Sequence, residues 1–122
     1  MTSARRQDLC GRAVQFSVRL LRFTQVLARG GAVPSRMVDQ LAAAGTAIGA
    51  NLSEAQSAIT RKQMAQCYTL SLREARESEY WLRILHDLDI GPSPDLAWLQ
   101  AEASEFVAIL TVSVRKLRVP AS

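Results

Sequence analysis

The chain has 122 residues, of which 48% are apolar and 21% charged, and it can bury a core as one domain without disulfides or a structural metal. Two widely spaced cysteines, Cys10 and Cys67, exclude a disulfide framework, and no apolar run reaches the roughly 20 residues that cross a bilayer. The first residues also lack the apolar segment of a secretory signal. We therefore expect one domain over residues 1–122, cytoplasmic, with reduced thiols and no membrane contact.

The excess of positive charge belongs to residues 1–36, which we term the basic segment. It contains seven arginines and one acid, Asp8, whereas residues 37–122 contain eight basic and ten acidic side chains. This concentration of arginine predicts either a surface that binds phosphates or a helix face that is solvated or paired with acids on a neighbouring helix. The composition leaves both interpretations open.

The first helix is predicted over residues 4–29, because apolar residues recur at helical spacing and Gly30, Gly31 and Pro34 follow. Its core stripe comprises Leu9, Phe16, Leu20, Phe23 and Leu27. A second apolar stripe on another side comprises Val14, Val18 and Leu21. The candidate nucleic-acid contacts are Arg5, Arg12, Arg19, Arg22 and Arg29, of which the last four span an arc of about 100°.

Three further helices are predicted, over residues 35–57, 61–89 and 95–118. In the second, the small side chains of Ala43, Ala47 and Ala50 mark a side on which another helix can pack closely. Thr60 and Gln63 have the spacing of a capping box at the start of the third, and Ser93 or Asp95 is expected to cap the fourth. Short loops between long helices predict an all-α, up-down antiparallel four-helix bundle.

The third helix carries two apolar stripes, as the first does. One comprises Met64, Cys67, Tyr68, Ser71, Ala75, Leu82 and Leu85, and the other comprises Leu70, Trp81, Ile84 and Leu88. A helix in a four-helix monomer needs only one buried stripe, so the second stripes predict contact between subunits. The alternative is one wide stripe around a bulky core.

The sequence gives little support for an enzyme or a metal site. A di-iron bundle needs two Glu-x-x-His pairs, but no histidine accompanies Glu74 and Glu77, and the only histidine is His86. Carboxylates alone could still hold Mg²⁺. No Ser–His–acid set or phosphate-binding loop is recognisable, and Cys67 falls on a core stripe. We therefore predict no catalytic residues, no metal and no cofactor.

The acids of the third helix indicate a structural role instead. Glu74 and Glu77 share a face with Trp81, and carboxylates within an apolar stripe are costly unless they are paired. Arginines on the same helix or on the first helix are available partners. The predicted polar network, which would fix the register of the second and third helices, comprises Asn51, Glu54, Arg73, Glu74, Glu77 and Trp81.

Two motifs resemble the 23S rRNA intervening-sequence protein family, a family of four-helix bundles. "QLAAAGTAIGANLSEA" is similar to the pattern Q-L-x-x-A-x-S-I-x-x-N-x-x-E-A/G, and "EARESEYWL" to K-E-A-x-E-x-x-Y/F-W-L. The matching positions are Gln40, Ile48, Asn51 and Glu54 in the first, and Glu74, Ala75, Glu77, Tyr80, Trp81 and Leu82 in the second. The resemblance covers residues 34–90, with departures at Thr46, Ala47 and Met64.

This resemblance implies a small cytosolic bacterial protein that assembles as a ring-shaped homopentamer and has no established enzymatic activity. Related bundles include the accessory protein of diversity-generating retroelements, which binds nucleic acid and partners a reverse transcriptase. We therefore predict a non-enzymatic, ring-forming adaptor that binds RNA or DNA through the first-helix arginines and can have such a protein partner. The alternative is an interaction or scaffold module that binds no nucleic acid, in which those arginines pair with Glu74, Glu77, Glu102 or Glu105.

Overall fold

The computed structural model describes residues 3–120, except for the side chains of five residues: Ser3, Ala4, Arg6, Gln7 and Ser93. Four helices account for most of it: α1 (Ser3–Gly30), α2 (Ser35–Gln56), α3 (Arg61–Asp87) and α4 (Ser93–Arg118). Each begins and ends within two residues of its predicted position. No strand occurs within residues 3–120. Arg6 of the basic segment and Ser93 as a cap lie outside the side chains that are described.

The helices form an up-down bundle, as predicted. Backbone contacts join each consecutive pair and α1 to α4, and in residues 3–120 none joins the diagonal pairs α1–α3 or α2–α4. The core lies along the bundle axis, and its largest apolar side chains with no solvent exposure are Phe16, Leu20, Leu41, Ile48, Leu82, Leu85, Leu99, Phe106 and Leu110. None of the helices within residues 3–120 combines the length and the apolar content that crossing a membrane requires.

The helix starts follow the sequence signals at α3 but differ at α4. The Gln63 N–H donates to Thr60 Oγ1 (3.1 Å), and the Thr60 N–H donates to Gln63 Oε1 (3.2 Å), which confirms the capping box. Pro92 occupies the N-cap position of α4 and Asp95 lies in the first turn, so Asp95 is not the cap. An acid in the first turn still stabilises α4 through the helix dipole.

The helices α1 and α2 approach each other closely at two glycines of α2. A Cβ added at Gly45 would overlap Leu20 Cδ2, and one added at Gly49 would lie 3.1 Å from Ala13 Cβ. The predicted alanine side does not serve this purpose, because Ala43 and Ala50 are exposed. The two glycines provide the close approach instead, since only a residue without a side chain fits there.

Candidate nucleic-acid interface

Arg12 of the basic segment lies on α1, and its side chain reaches α4. Its Nη2 donates to Glu102 Oε2 at 2.7 Å, and its guanidinium carbon lies 5.7 Å from the centroid of the buried Phe106 ring. One third of the Arg12 side chain and one fifth of the Glu102 side chain remain exposed. Arg12 therefore links the two helices and is only partly accessible to a ligand.

Arg19 makes a similar but weaker link two turns further along α1. Its Nη2 is 3.4 Å from Asp95 Oδ1, and its guanidinium carbon lies 4.3 Å above the centroid of the Trp98 ring. An exposed pair of this kind contributes about 0–1 kcal/mol, and the cation–π contact adds a similar amount. Two of the five candidate arginines thus hold α1 to α4.

Arg22 and Arg29 have a different environment. Both are exposed, and among the described residues neither takes part in an ion pair within 4 Å. At about 100° per residue they lie 20° apart around α1, so they present two cations on one side of the helix. Arg5 is also exposed, and it lies beside a cavity at the start of α1. These three arginines are the accessible part of the predicted set.

The cavity beside Arg5 has a volume of about 630 Å³ and is formed where α1 and α3 begin and α4 ends. Four basic residues line it: Arg5, Arg12, Arg61 and Lys116. Arg61 donates to the carbonyl oxygens of Lys116 (2.6 Å) and Leu117 (3.1 Å), which have no partner within α4. This basic end of the bundle could not be recognised in the sequence, because the topology brings its charges together from distant segments.

The predicted network between α2 and α3 does not form as expected. The Asn51 amide donates to Ala47 O of its own helix (2.9 Å), and Glu54 and Arg73 are exposed. Glu74 and Glu77 lie three residues apart on α3, and among the described residues neither forms an ion pair with an arginine within 4 Å. Within the described residues, no ion pair or side-chain hydrogen bond therefore joins members of the predicted network across the α2–α3 interface.

The pKa of Glu74 reflects this environment. Partial burial raises the pKa of Glu74 above its ordinary value, and the neighbouring charge and hydrogen bond of Glu77 raise it further, whereas Arg73 lowers it. The indole Nε1 of Trp81, also on this face, is shielded from solvent and has no hydrogen-bond acceptor within the described part of the chain.

A different polar contact joins α2 to α3. The hydroxyl of the fully buried Ser71 donates to Ile48 O at 2.9 Å. Ser71 falls on the predicted core stripe of α3. A serine among apolar residues was therefore the one feature of the sequence that indicated a buried polar contact at this position. The buried hydroxyl is satisfied by the adjacent backbone, which permits close packing without loss of a hydrogen bond.

The other side chains that could take part in catalysis or metal binding lie in different parts of the bundle. The side chain of His86 is exposed, and its Nδ1 lies 3.2 Å from Asp87 Oδ1. This hydrogen bond holds the pKa of Asp87 below its ordinary value. Cys67 is half-buried and is not paired with Cys10. Among the described residues, no three His, Cys, Asp or Glu side chains lie close enough to share a metal ion.

Two apolar faces of the chain are open to solvent. Val14, Val18 and Leu21 on α1 are between 42% and 61% exposed, and Leu70 and Leu88 on α3 are 44% and 56% exposed. These residues belong to the second stripes of the two helices. The fold therefore leaves the second stripe of α1 exposed, whereas the second stripe of α3 is exposed at Leu70 and Leu88 and half-buried at Trp81 and Ile84.

Comparisons with other proteins agree with this architecture. A family model described as 23S rRNA-intervening sequence protein matches residues 5–112. A crystal structure of a protein of unknown function from the S23 ribosomal protein family of Bacteroides thetaiotaomicron is similar, with a TM-score of 0.80 and 25% identity. That match covers 88% of this chain and 98% of the other. No curated protein matches the sequence.

Proposed function

Because the chain belongs to the 23S rRNA-intervening sequence protein family, we propose that it is a non-enzymatic, homo-oligomeric adaptor that binds nucleic-acid phosphates in the cytoplasm. The observation that carries this proposal is the pair of exposed cations on α1, Arg22 and Arg29, which have no carboxylate partner within the described residues. Phosphate contacts made by exposed arginines supply affinity without base specificity. Binding is thus phosphate-directed and strongly salt-dependent.

The ring-shaped homo-oligomer is the second part of the proposal. Its support is the presence of two different apolar faces, Val14–Val18–Leu21 on α1 and Leu70–Leu88 on α3. Because α1 and α3 are diagonal in the bundle, the two faces point in different directions. A contact between the α1 face of one chain and the α3 face of the next is heterologous, and heterologous contacts close into rings when the rotation permits. A pentamer, as the family resemblance implies, would repeat Arg22 and Arg29 around the ring.

A salt series with labelled oligonucleotides tests the nucleic-acid part. Arg22→Glu combined with Arg29→Glu should weaken binding more than tenfold at low salt and flatten the dependence of log K on log salt. Lys62→Glu combined with Arg73→Glu, two exposed cations on α3, changes the net charge equally and serves as the matched control. Light scattering on the same samples should give one unchanged oligomer mass. If the wild type binds no oligonucleotide at low salt, the proposal fails.

An interaction module that binds no nucleic acid is the second candidate. The observation that favours it is the pairing of Arg12 with Glu102 and of Arg19 with Asp95, which uses two arginines for structure. In that case the wild type would bind no oligonucleotide even at low salt, and a protein partner, such as a reverse transcriptase, would be the ligand. The salt series distinguishes the two functions.

A further inference from the structure

A shallow groove between α3 and α4 combines an exposed aromatic ring with arginines, which the basic segment does not. It has a volume of about 470 Å³ and is lined from α3 by Arg76, Glu79, Tyr80 and Arg83, and from α4 by Gln100 and Ser104. We term it the α3–α4 groove. It lies apart from the α1 arginines and from the cavity at the basic end. It is the part of the described surface where an accessible aromatic ring lies between two arginines.

Tyr80 presents its ring to solvent. The side chain is 60% exposed, and the ring is held at 5.2 Å from the Trp81 ring in an edge-to-face arrangement with an interplanar angle of 71°. This contact restrains the tyrosine ring without covering its outer face. An exposed, restrained aromatic ring is the surface on which an unpaired base stacks.

Arg76 and Arg83 flank this ring on the same side of α3. They are seven residues apart, about 10 Å along the helix, and with Tyr80 they occupy an arc of about 60°. Both are exposed, and among the described residues Arg76 has no ion pair. Arg83 Nε lies 3.3 Å from Asp87 Oδ2 in a pair whose side chains are 76% and 57% exposed. Such a pair is weak, so a phosphate can compete for Arg83.

From this arrangement, and on the basis of the proposed nucleic-acid function, we propose that Tyr80 stacks on one unpaired base of a single-stranded nucleic acid while Arg76 and Arg83 contact its phosphates. Gln100 and Ser104 on the opposite wall supply hydrogen-bonding groups. Glu79 is the one acid lining the groove, and its carboxylate can accept a hydrogen bond from a base amino group. A duplex cannot use this site, because its bases are already stacked and paired.

The groove remains open in the proposed ring. At about 100° per residue, Tyr80 lies about 80° around α3 from Leu70 and Leu88, towards α4. Contact through the apolar face of α3 therefore leaves the tyrosine ring accessible. Each subunit would contribute one stacking site for single strands. The α1 arginines would contact the phosphates of single strands and duplexes alike.

The test compares three labelled probes by fluorescence anisotropy: a uridine oligonucleotide, a thymidine oligonucleotide and a DNA duplex of the same length. Stacking on an aromatic side chain is worth about 1–3 kcal/mol per base, so Tyr80→Ala should weaken single-strand binding about 5- to 150-fold. Duplex binding should not change. Tyr80→Phe keeps the ring and should stay within about twofold of the wild type for all three probes.

A second variant does not depend on the aromatic ring. Arg76→Gln combined with Arg83→Gln removes two phosphate contacts and should reduce the single-strand salt slope by about 1.4. If wild type binds single strands and Tyr80→Ala binds them equally well, the stacking site is wrong and the α1 proposal stands. If Arg22→Glu combined with Arg29→Glu abolishes duplex binding, whereas Tyr80→Ala weakens only the binding of single strands, both the α1 proposal and the stacking site are supported. A wild type that binds no probe overturns both.

Discussion

The two sides of α1 pack against their neighbours in opposite ways. Towards α2, Gly45 and Gly49 let the backbones approach until an added methyl group would overlap Leu20 or press on Ala13. Towards α4 the two backbones approach each other over a smaller part of their length than in the other adjacent helix pairs, and Arg12 and Arg19 reach across to carboxylates and aromatic rings. Close backbone packing leaves no room for long side chains, whereas the α1–α4 interface accommodates them, with their charged ends at its edge.

Substitution of the interface glycine should give the largest effect. Gly45→Ala gains about 1 kcal/mol in helix propensity, but its methyl group overlaps the fully buried Leu20, and overpacking costs about 1–3 kcal/mol. We expect a net loss of up to about 2 kcal/mol in the free energy of unfolding, measured as a lower urea midpoint with an unchanged m-value.

Gly11 provides the matched control for this prediction. It lies in α1, is exposed, and has nothing within 4 Å of an added Cβ. Gly11→Ala should therefore stabilise the protein by about 0.5–1 kcal/mol. If both substitutions stabilise equally, the close approach of α1 and α2 is contradicted.

On the α4 side, removal of a charge should have a smaller effect. Glu102→Gln deletes the ion pair with Arg12 but keeps the shape of the side chain, so the free energy of unfolding should fall by about 1 kcal/mol or less. The loss should shrink as salt is added, because the remaining interaction is electrostatic and partly exposed. Glu105→Gln changes an exposed acid three residues later and should be neutral in the same urea titrations. An equal loss from both would show that net charge, and not this pair, matters.

The smallest effect is expected for a carboxylate that no arginine pairs with. Burial and Glu77 raise the pKa of Glu74 above its ordinary value of 4.5, so the folded chain binds this proton more tightly than the unfolded chain. The wild type should thus gain stability as the pH falls through the folded pKa towards 4.5. Glu74→Gln should stabilise the protein at pH 7 by less than about 0.5 kcal/mol, since solvent screens the site.

The pH dependence makes this prediction specific. The advantage of Glu74→Gln should disappear below pH 4.5, where the wild-type carboxyl is protonated in both states. Thermal unfolding from pH 4 to pH 8 measures it, with Glu54→Gln as an exposed control on α2. Destabilisation by Glu74→Gln at pH 7 would instead indicate that the carboxylate has a cationic partner in the assembled protein.

Local signals were sufficient to predict the helices. Apolar periodicity placed all five residues of the α1 core stripe, each of which is at most 4% exposed, and the Thr60–Gln63 spacing predicted a complete capping box. These features depend on neighbours within a few positions of each other. The same kind of information separated the buried stripe of α1 from its exposed stripe.

Partners across the bundle could not be predicted in the same way. Periodicity gives the face of a residue but not its height relative to another helix, so Glu102 was one of four candidate partners for the arginines and Asp95 was not among them. The predicted pairing of the α3 acids failed for the same reason, because periodicity places Glu74 and Glu77 on one face of α3 but does not place a cation opposite them. The exposed Tyr80 was part of a recognised motif, but its place between two arginines beside α4 required the structure.

The links between α1 and α4 also join residues that are made at different times. Arg12 and Glu102 are 90 positions apart, and Arg19 and Asp95 are 76 apart. At roughly 5–20 residues per second, the arginines exist for several seconds before their acids are synthesised. During that interval the first 36 residues carry seven positive charges and one negative charge. We expect the nascent chain to be more available to the surrounding RNA than the finished bundle, in which α4 neutralises two of those arginines.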